Sequence, residues 1–381
     1  MKVAFLLSSF RAGGGERVMI EVANSLVQRG CSVDILVLKK VGEYEKDVDP
    51  AIRVIVFDAW RMLFAFPKLT RYLRTETPES LMAVDEYTQL LALAARFVTR
   101  TPTRIVVRAG NIYSELYRRY SGIKHALTFM LIRAWYRYAD ALIANSKGVA
   151  DDLISITSID PKKVSVIYNP KHRAAMQEKG KHLTGNPWLD NKDMPVILAT
   201  GRLREQKNFS LLIRAFARVR AAAPARLVIV GGGRDESKLR SLITELHLEE
   251  SIQLVGYTDN PYAYFARADI FAFTSLWEGM PNALMEAMVF GLPVVSSDCN
   301  AGPRELLAPD TDHTKLLTKG SEYASFGILT AVNDEDALVE VLTKLLSDTT
   351  LRTEYGRKSR EHSDLFEAAP IIDQYARILG V

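Results

Sequence analysis

Glu278 and Glu286 stand eight residues apart in Glu278-Gly-Met-Pro-Asn-Ala-Leu-Met-Glu286-Ala-Met-Val-Phe-Gly291-Leu-Pro293-Val-Val295. Two carboxylates at close spacing suit either acid–base chemistry or a grip on hydroxyl groups. The residues between and after them separate the two acids. Pro281 fits the first turn of a helix, where a missing N–H costs nothing, and Gly291 fits the left-handed position past its end. Pro293 then stops the helix, and Val294-Val295 opens a strand. Glu278 is therefore expected in the loop before the helix and Glu286 about one turn inside it. Unpaired N–H groups at the helix start face whatever Glu278 faces, and such a terminus attracts phosphate. A carboxylate beside a phosphate cradle suits a ligand with an anionic part and hydroxyls, such as a nucleotide sugar.

Two further segments carry charge or open backbone. Gly201-Arg202-Leu203-Arg204-Glu205-Gln206-Lys207-Asn208 follows an apolar run, so Arg202 and Lys207 leave one strand end together, within reach of one diphosphate. Cations there offset charge building on a leaving nucleoside diphosphate, while Arg204 reads as a solvated neighbour. Gly13-Gly14-Gly15-Glu16-Arg17 follows the first apolar run and opens a helix. Glycines let a ligand approach such a turn closely, although a plain tight turn reads equally well. The spacing fits neither the dinucleotide fingerprint nor a Walker loop.

These segments need parallel strands to position them. Lys2–Ser8, Ser32–Leu38, Ala51–Phe57, Ser80–Val84, Thr103–Arg108, Ala141–Ala144 and Val164–Tyr168 are short apolar runs alternating with amphipathic stretches, the first of them near Glu16–Arg29. The second half repeats the pattern with strands at Val196–Thr200, Arg226–Val230, Ile252–Leu254, Ile270–Thr274 and Pro293–Ser296. Its helices are expected at Ser210–Ala221, Asp235–Leu246, Pro281–Phe290, Glu335–Leu346 and Ala369–Leu379. This is α/β alternation in two doubly wound domains, whose sites lie at the carboxyl ends of the strands. Residues 1–170 form the first domain and 171–193 a polar linker. Residues 194–365 form the second domain, and 366–381 a last helix that crosses back to the first.

With 381 residues, 48% hydrophobic and 25% charged, the chain can fill two cores, and it shows no low-complexity tract or fixed-period repeat. Met1–Phe10 reads as a buried first strand and not as a signal peptide, and no run approaches the length of a membrane span. Cys31 and Cys299 make no disulfide framework, so the cytoplasm is the expected compartment. Residues 1–170 carry 24 Lys/Arg against 17 Asp/Glu, a net +7, while the remainder is −3. That imbalance suits an anionic substrate or surface; nucleic acid is not indicated, because no recognition motif accompanies it.

Together the segments resemble the retaining nucleotide-sugar glycosyltransferases of the GT-B fold, family four, over nearly the whole chain. The likeness rests on Ser9–Arg17, Asn145-Ser146, Asn169-Pro170, Gly201–Lys207, Val230–Gly233, Val255–Tyr257 and, most specifically, Glu278–Val295. Through Ser297–Glu305 it is similar to bacterial enzymes that extend lipid-linked oligosaccharides or surface polysaccharides. The resemblance implies two Rossmann-like domains facing across a cleft and the following roles. Arg202 and Lys207 hold the donor diphosphate, with backbone at Gly14 and Gly15 closing on it. Glu286 binds ribose hydroxyls, and Glu278 binds the transferred sugar. Amides of Met280, Pro281, Asn282 and Ala283 meet sugar and phosphate, and the base, uracil favoured, lies at Gly256-Tyr257.

One departure concerns the first domain. Many relatives carry a histidine after the fifth strand, where this chain reads Val107-Arg108-Ala109-Gly110-Asn111, and His125 is too far along. Arg108 and Asn111 are left as the sugar or acceptor side. This suits a front-side mechanism in which the departing phosphate oxygen takes the acceptor proton, with no covalent glycosyl-enzyme. No cofactor or metal is expected, the nucleotide sugar being a substrate. Asp47-Val-Asp49, Asp310-Thr-Asp312 and Asp334-Glu-Asp336 match a D-x-D pattern but read as solvated, and the histidines lack ligand spacing. Trp60–Arg74 and Leu116–Tyr138 mix aromatic and basic residues, as in a protein resting peripherally on the anionic inner face of a membrane. The expected activity is transfer of a sugar to a lipid-linked saccharide. The alternatives are a soluble acceptor, a GT-B epimerase, and a non-catalytic subunit that binds nucleotide or membrane.

Overall fold

The computed structural model describes every residue except Ala12, Trp60, Arg61, Tyr120 and Ser121, together with the side chains of Met62, Leu63 and Lys124. The chain divides into two compact units, Met1–Pro170 with Ala368–Val381, and Lys171–Glu367. The first is built on β1 (Lys2–Leu7), β2 (Ser32–Val37), β3 (Arg53–Val56), β4 (Ser80–Ala83), β5 (Arg104–Ala109), β6 (Ala141–Ala144) and β7 (Val164–Val166). They form one parallel sheet in the order β3-β2-β1-β4-β5-β6-β7. β4 and β6 are buried at every position, as continuous apolar runs must be when helices cover both faces of a sheet.

The second unit repeats the design with β8 (Val196–Thr200), β9 (Arg226–Val230), β10 (Ile252–Gly256), β11 (Ile270–Phe273), β12 (Val294–Ser297), β13 (Ser321–Tyr323) and β14 (Ile328–Thr330). Its order is β10-β9-β8-β11-β12-β14-β13, parallel except where β13 runs antiparallel to β14. In each sheet the order reverses beside the first strand, between β1 and β4 and between β8 and β11. Loops leaving neighbouring strands diverge there and open a crevice at the carboxyl ends. The loops concerned are Gly13–Gly15 and Asp85-Glu86 in one unit, and Gly201–Lys207 and Thr274–Met280 in the other.

Every strand expected from the sequence forms, Ala141–Ala144, Val196–Thr200 and Arg226–Val230 with the expected bounds and the others with shifted ends. β13 and β14 are additional, each too short to show a period. The helix Thr349–His362 is also additional; it is largely polar and offers little apolar stripe to read. Residues 171–193, expected as a linker, instead belong to the second unit and carry helices Arg173–Gly180 and Pro187–Asp190. Their polarity hides a few anchors. Met176 and Leu189 are buried, and Gly180 fits against Phe290, whose Cε1 lies 2.7 Å from the place a Cβ would occupy. The final helix, Ala368–Leu379, packs in the first unit, where Ile371, Ile372, Tyr375 and Leu379 join a core with Val3, Phe5 and Leu26.

His362 gives the second unit a pH dependence. Its ring stacks on Phe326 at 3.8 Å and meets Phe366 edge-on. Burial between these rings holds the imidazole below its ordinary value of 6.5, against the opposing charge of Asp310. The unfolded chain therefore binds the proton first as pH falls. Stability is full above about 6.5, declines through the window down to the depressed folded value, and then levels. Denaturant unfolding between about pH 7.5 and 5 should show this decline, and His362→Phe should flatten it; an unchanged slope in the variant removes His362 as the cause.

Candidate active site

Glycine packing fixes the strand ends from which the site hangs. Gly201 (φ +152°) follows β8 and donates its N–H to Val230 O at 3.0 Å. Gly231 (φ +141°) follows β9, donates to Gly256 O at 2.8 Å, and sits so close to Gly201 that an added Cβ would lie 1.9 Å from its carbonyl oxygen. Leu203, fully buried, donates to Gly232 O at 2.9 Å and fills the space beside Gly233. Anchoring Leu203 leaves Arg202 and Arg204 exposed. A single 3-10 turn, Glu205–Lys207, then carries the chain back, and Asn208 (φ +50°) turns it into helix Phe209–Ala222. Lys207 folds over Gly201, with its ammonium 4.8 Å above the Phe273 ring and 2.6 Å from Glu278 Oε1.

Glu278 reaches that point because its loop is stitched to the Lys207 loop. Thr274 Oγ1 donates to Lys207 O at 2.9 Å, Leu276 N to Gln206 O at 2.8 Å, and Gln206 Nε2 to Trp277 O at 2.8 Å. Beneath it, Glu278 N donates to Asn300 O at 3.4 Å, and Gly302 (φ +86°) leaves room for Pro281, whose Cδ lies 2.5 Å from where a Cβ would stand. Arg304 and Asp298 hold this floor: Nη2 meets Asp298 Oδ2 at 2.6 Å and Glu322 Oε2 at 2.8 Å, while Leu317 N donates to Asp298 at 2.7 Å. The helix itself runs Asn282–Val289, with Pro281 in extended conformation before it, one residue later than expected. Glu286 is buried within it, at 5% exposure.

The structure thus joins Lys207 to Glu278. Arg202 points into solvent, with no partner among the described residues. Gly256 (φ +85°) ends β10 and Tyr257 is exposed, whereas Met280 and Pro281 are buried and Ala283 half-buried. Asn282 Oδ1 accepts from Lys171 Nζ at 2.8 Å, and Lys171 is only 4% exposed. Neither Lys171 nor Gln206 was legible as a site residue, since nothing in a lone polar side chain announces a partner far along the chain. Cys299 was legible only as part of the Ser297–Glu305 likeness. It is buried beside the pair, and burial first, then the charge of Glu278, pushes its thiol up.

In the first unit, Gly14 and Gly15 open helix Gly14–Gln28, Arg108 is buried at the end of β5, and Asn111 is exposed. His125 lies on helix Ile123–Trp135. The D-x-D aspartates expected as solvated include backbone acceptors: Asp49 takes Ala51 N, Asp312 takes Thr314 N, and Asp334 takes Gly320 N and Ala337 N. Among the described residues no three His, Cys, Asp or Glu side chains converge as a metal site. A lysine bonded to a carboxylate at a switch-point crevice, in a frame of glycine turns, suits an oxyanion and hydroxyls.

Comparison with known proteins decides the family. The description "Glycosyltransferase Family 4" matches residues 12–170, and "Glycosyl transferases group 1" matches residues 185–362. An N-acetylgalactosamine-N,N'-diacetylbacillosaminyl-diphospho-undecaprenol 4-alpha-N-acetylgalactosaminyltransferase of Campylobacter jejuni is 33% identical over 316 residues, 83% of this chain and 79% of that protein. The chain belongs to glycosyltransferase family 4. The lipopolysaccharide core biosynthesis glycosyltransferase LpsE of Rhizobium meliloti is 23% identical over 97% of this chain and 96% of its own. The crystal structure of Anabaena HepE in complex with UDP-glucose shares the fold, with a TM-score of 0.81 at 21% identity over 100% of this chain and 99% of that one. The glycosyltransferase has the GT-B fold of two Rossmann-like domains expected from the sequence.

Proposed function

We propose that this glycosyltransferase moves a sugar from a UDP-sugar to a hydroxyl of a lipid-linked saccharide, with retention at the anomeric carbon and without a metal. The Lys207–Glu278 pair at the β8/β11 switch carries the reading, because it sets one cation for an oxyanion beside one carboxylate for hydroxyls. Lys207 and Arg202 take the donor diphosphate and stabilise charge on the leaving UDP, which is the service a divalent ion renders elsewhere. Glu278 binds the transferred sugar, Glu286 the ribose, the amides from Met280 to Ala283 sugar and phosphate, and the Gly256-Tyr257 backbone the uracil. Gly14 and Gly15 meet the donor phosphate. Arg108 and Asn111 serve the sugar or acceptor side, and the leaving phosphate oxygen takes the acceptor proton.

The Campylobacter relative is named for a diphospho-undecaprenol-linked saccharide, which supports an acceptor of that class. No helix among the described residues is long and apolar enough to cross a membrane. Peripheral attachment at the cytoplasmic face is supported by helix Ile123–Trp135, which exposes Ile123, Leu127, Met130 and Leu131 near Arg133 and Arg137. Helix Met62–Glu76 adds exposed Phe64, Arg71 and Arg74. Apolar insertion beside basic residues suits an anionic bilayer; Trp60, Arg61 and Tyr120 of the expected segments lie outside the described residues. A panel of UDP-sugars with undecaprenyl-diphosphate saccharides, read by NMR of the product, should give an α-linkage that EDTA does not suppress. A β-linked product or an EDTA-dependent rate overturns the mechanism, and transfer to free saccharides alone overturns the acceptor.

A further inference from the structure

Arg108 is 2% exposed, and among the described residues no carboxylate pairs with its guanidinium. Its Nη2 donates to Asn169 Oδ1 at 2.6 Å and its Nε to Tyr375 Oη at 3.2 Å, both neutral. Burying an ionised guanidinium against neutral acceptors alone is costly, and one removed from water is ordinarily matched by an anion. The acids of neighbouring loops do not supply one. Asp85 is taken up by Ser8 Oγ and the amides of Tyr87 and Thr88, and Glu16 folds over Gly13. Burial raises the Glu86 carboxyl, and Asp85 and Glu16 add to the rise.

The third nitrogen, Nη1, has no partner among the described residues and faces two glycines. A Cβ on Gly110 would lie 3.3 Å from it, and one on Gly15 would lie 3.7 Å from it. Neither glycine has a positive φ, so the backbone does not require glycine there. What their bareness provides is space over Nη1. The same spot is bordered by Asn145, whose Nδ2 lies 3.5 Å from the Gly110 Cβ position and whose Oδ1 is buried without a partner. A cation lacking its anion and an amide lacking its donor thus meet at one opening beside β1 and β5.

We propose that Arg108, Asn145 and the bare backbone of Gly15 and Gly110 form a phosphoryl-binding site in the first unit, which takes one phosphate of a pyrophosphate ester. With Nε and Nη2 engaged by Tyr375 and Asn169, Nη1 offers its two N–H donors to a phosphate oxygen, and a hydroxyl of the ester, not the phosphate, donates to Asn145 Oδ1. It narrows the sugar or acceptor role expected of Arg108 to a phosphate. It rests on the proposed function only for the choice of pyrophosphate, which is either that of the UDP-sugar or that of the lipid-linked acceptor.

The test removes the second unit's cations with Arg202→Ala/Lys207→Ala in the full chain and titrates inorganic pyrophosphate calorimetrically. Residual binding is expected, and adding Gly110→Ala should weaken it about tenfold or more, the loss of one charge-assisted hydrogen bond. Adding Arg108→Met should abolish it. Gly110→Ala keeps the charge and the backbone conformation, so it remains informative where Arg108→Met melts. No binding to the double variant, or binding that neither substitution changes, overturns the site. In the otherwise unaltered enzyme, a KM for UDP-sugar raised by Gly110→Ala assigns the donor, and a KM raised for the lipid-linked acceptor assigns the acceptor. If the enzyme transfers no sugar at all, the proposed function fails while the pyrophosphate titration still decides the site.

Discussion

Lys207→Ala is expected to lower kcat/KM about 10²–10³-fold and weaken UDP binding about tenfold, the range seen when one preorganised cation or donor is taken from a developing oxyanion. Two observations set the size. The ammonium is held from three sides, by Glu278, the Phe273 ring and the Gly201 backbone under its stem, so it needs little reorganisation to meet a phosphate. It is also mostly buried, at 16% side-chain exposure, where solvent screens it less than a surface charge. Glu278→Gln should behave differently. Removing the carboxylate frees Lys207 from its competing partner, so UDP binding should hold or tighten while sugar transfer falls about 10²-fold. Calorimetry with UDP and initial rates with UDP-sugar separate the two variants. Near-normal turnover in both, or equal loss of UDP affinity, refutes the division of labour between the pair.

Gly231→Ala carries the largest expected stability cost. The new methyl would stand 1.9 Å from Gly201 O on a backbone at φ +141°. Strain in a region reserved for glycine and forced displacement of a packed neighbour together cost about 3 kcal/mol or more. The displaced neighbour is the residue before Arg202, so the damage should pass to the donor site. Denaturant unfolding should show the loss, and UDP binding measured well below the melting transition should weaken as well. Gly256→Ala is the control: its Cβ would meet nothing within 4 Å, so only the positive φ costs anything, about 1 kcal/mol. Equal stability losses in the two variants would show that close packing on Gly201 is not the cause.

The strands were legible because each is a short apolar run, buried on both faces and bounded by polar turns. Where that signal thins, reading fails. Ser321–Tyr323 and Ile328–Thr330 are too short for a period, and residues 171–193 pack through a handful of anchors such as Met176 and Leu189 in an otherwise polar stretch. The helix after Glu278 was legible to one residue, since proline and glycine mark its two ends by backbone conformation alone.

The sequence by itself determined the α/β alternation, the glycine-led loops after β1 and β8, and the separation of Glu278 from Glu286 across a helix start. These follow from contacts within a few residues, which composition and spacing encode. Only the tertiary structure decided that Lys207 bonds Glu278, 71 residues away, while Arg202 is left in solvent. It alone decided that Lys171 meets Asn282, and that Arg108 is buried against Asn169 and Tyr375, 61 and 267 residues off, with no carboxylate paired to it among the described residues. Those encounters are set by strand order and by which loops leave the same end of a sheet. Strand order arises from packing whole elements, and no local stretch of sequence carries it.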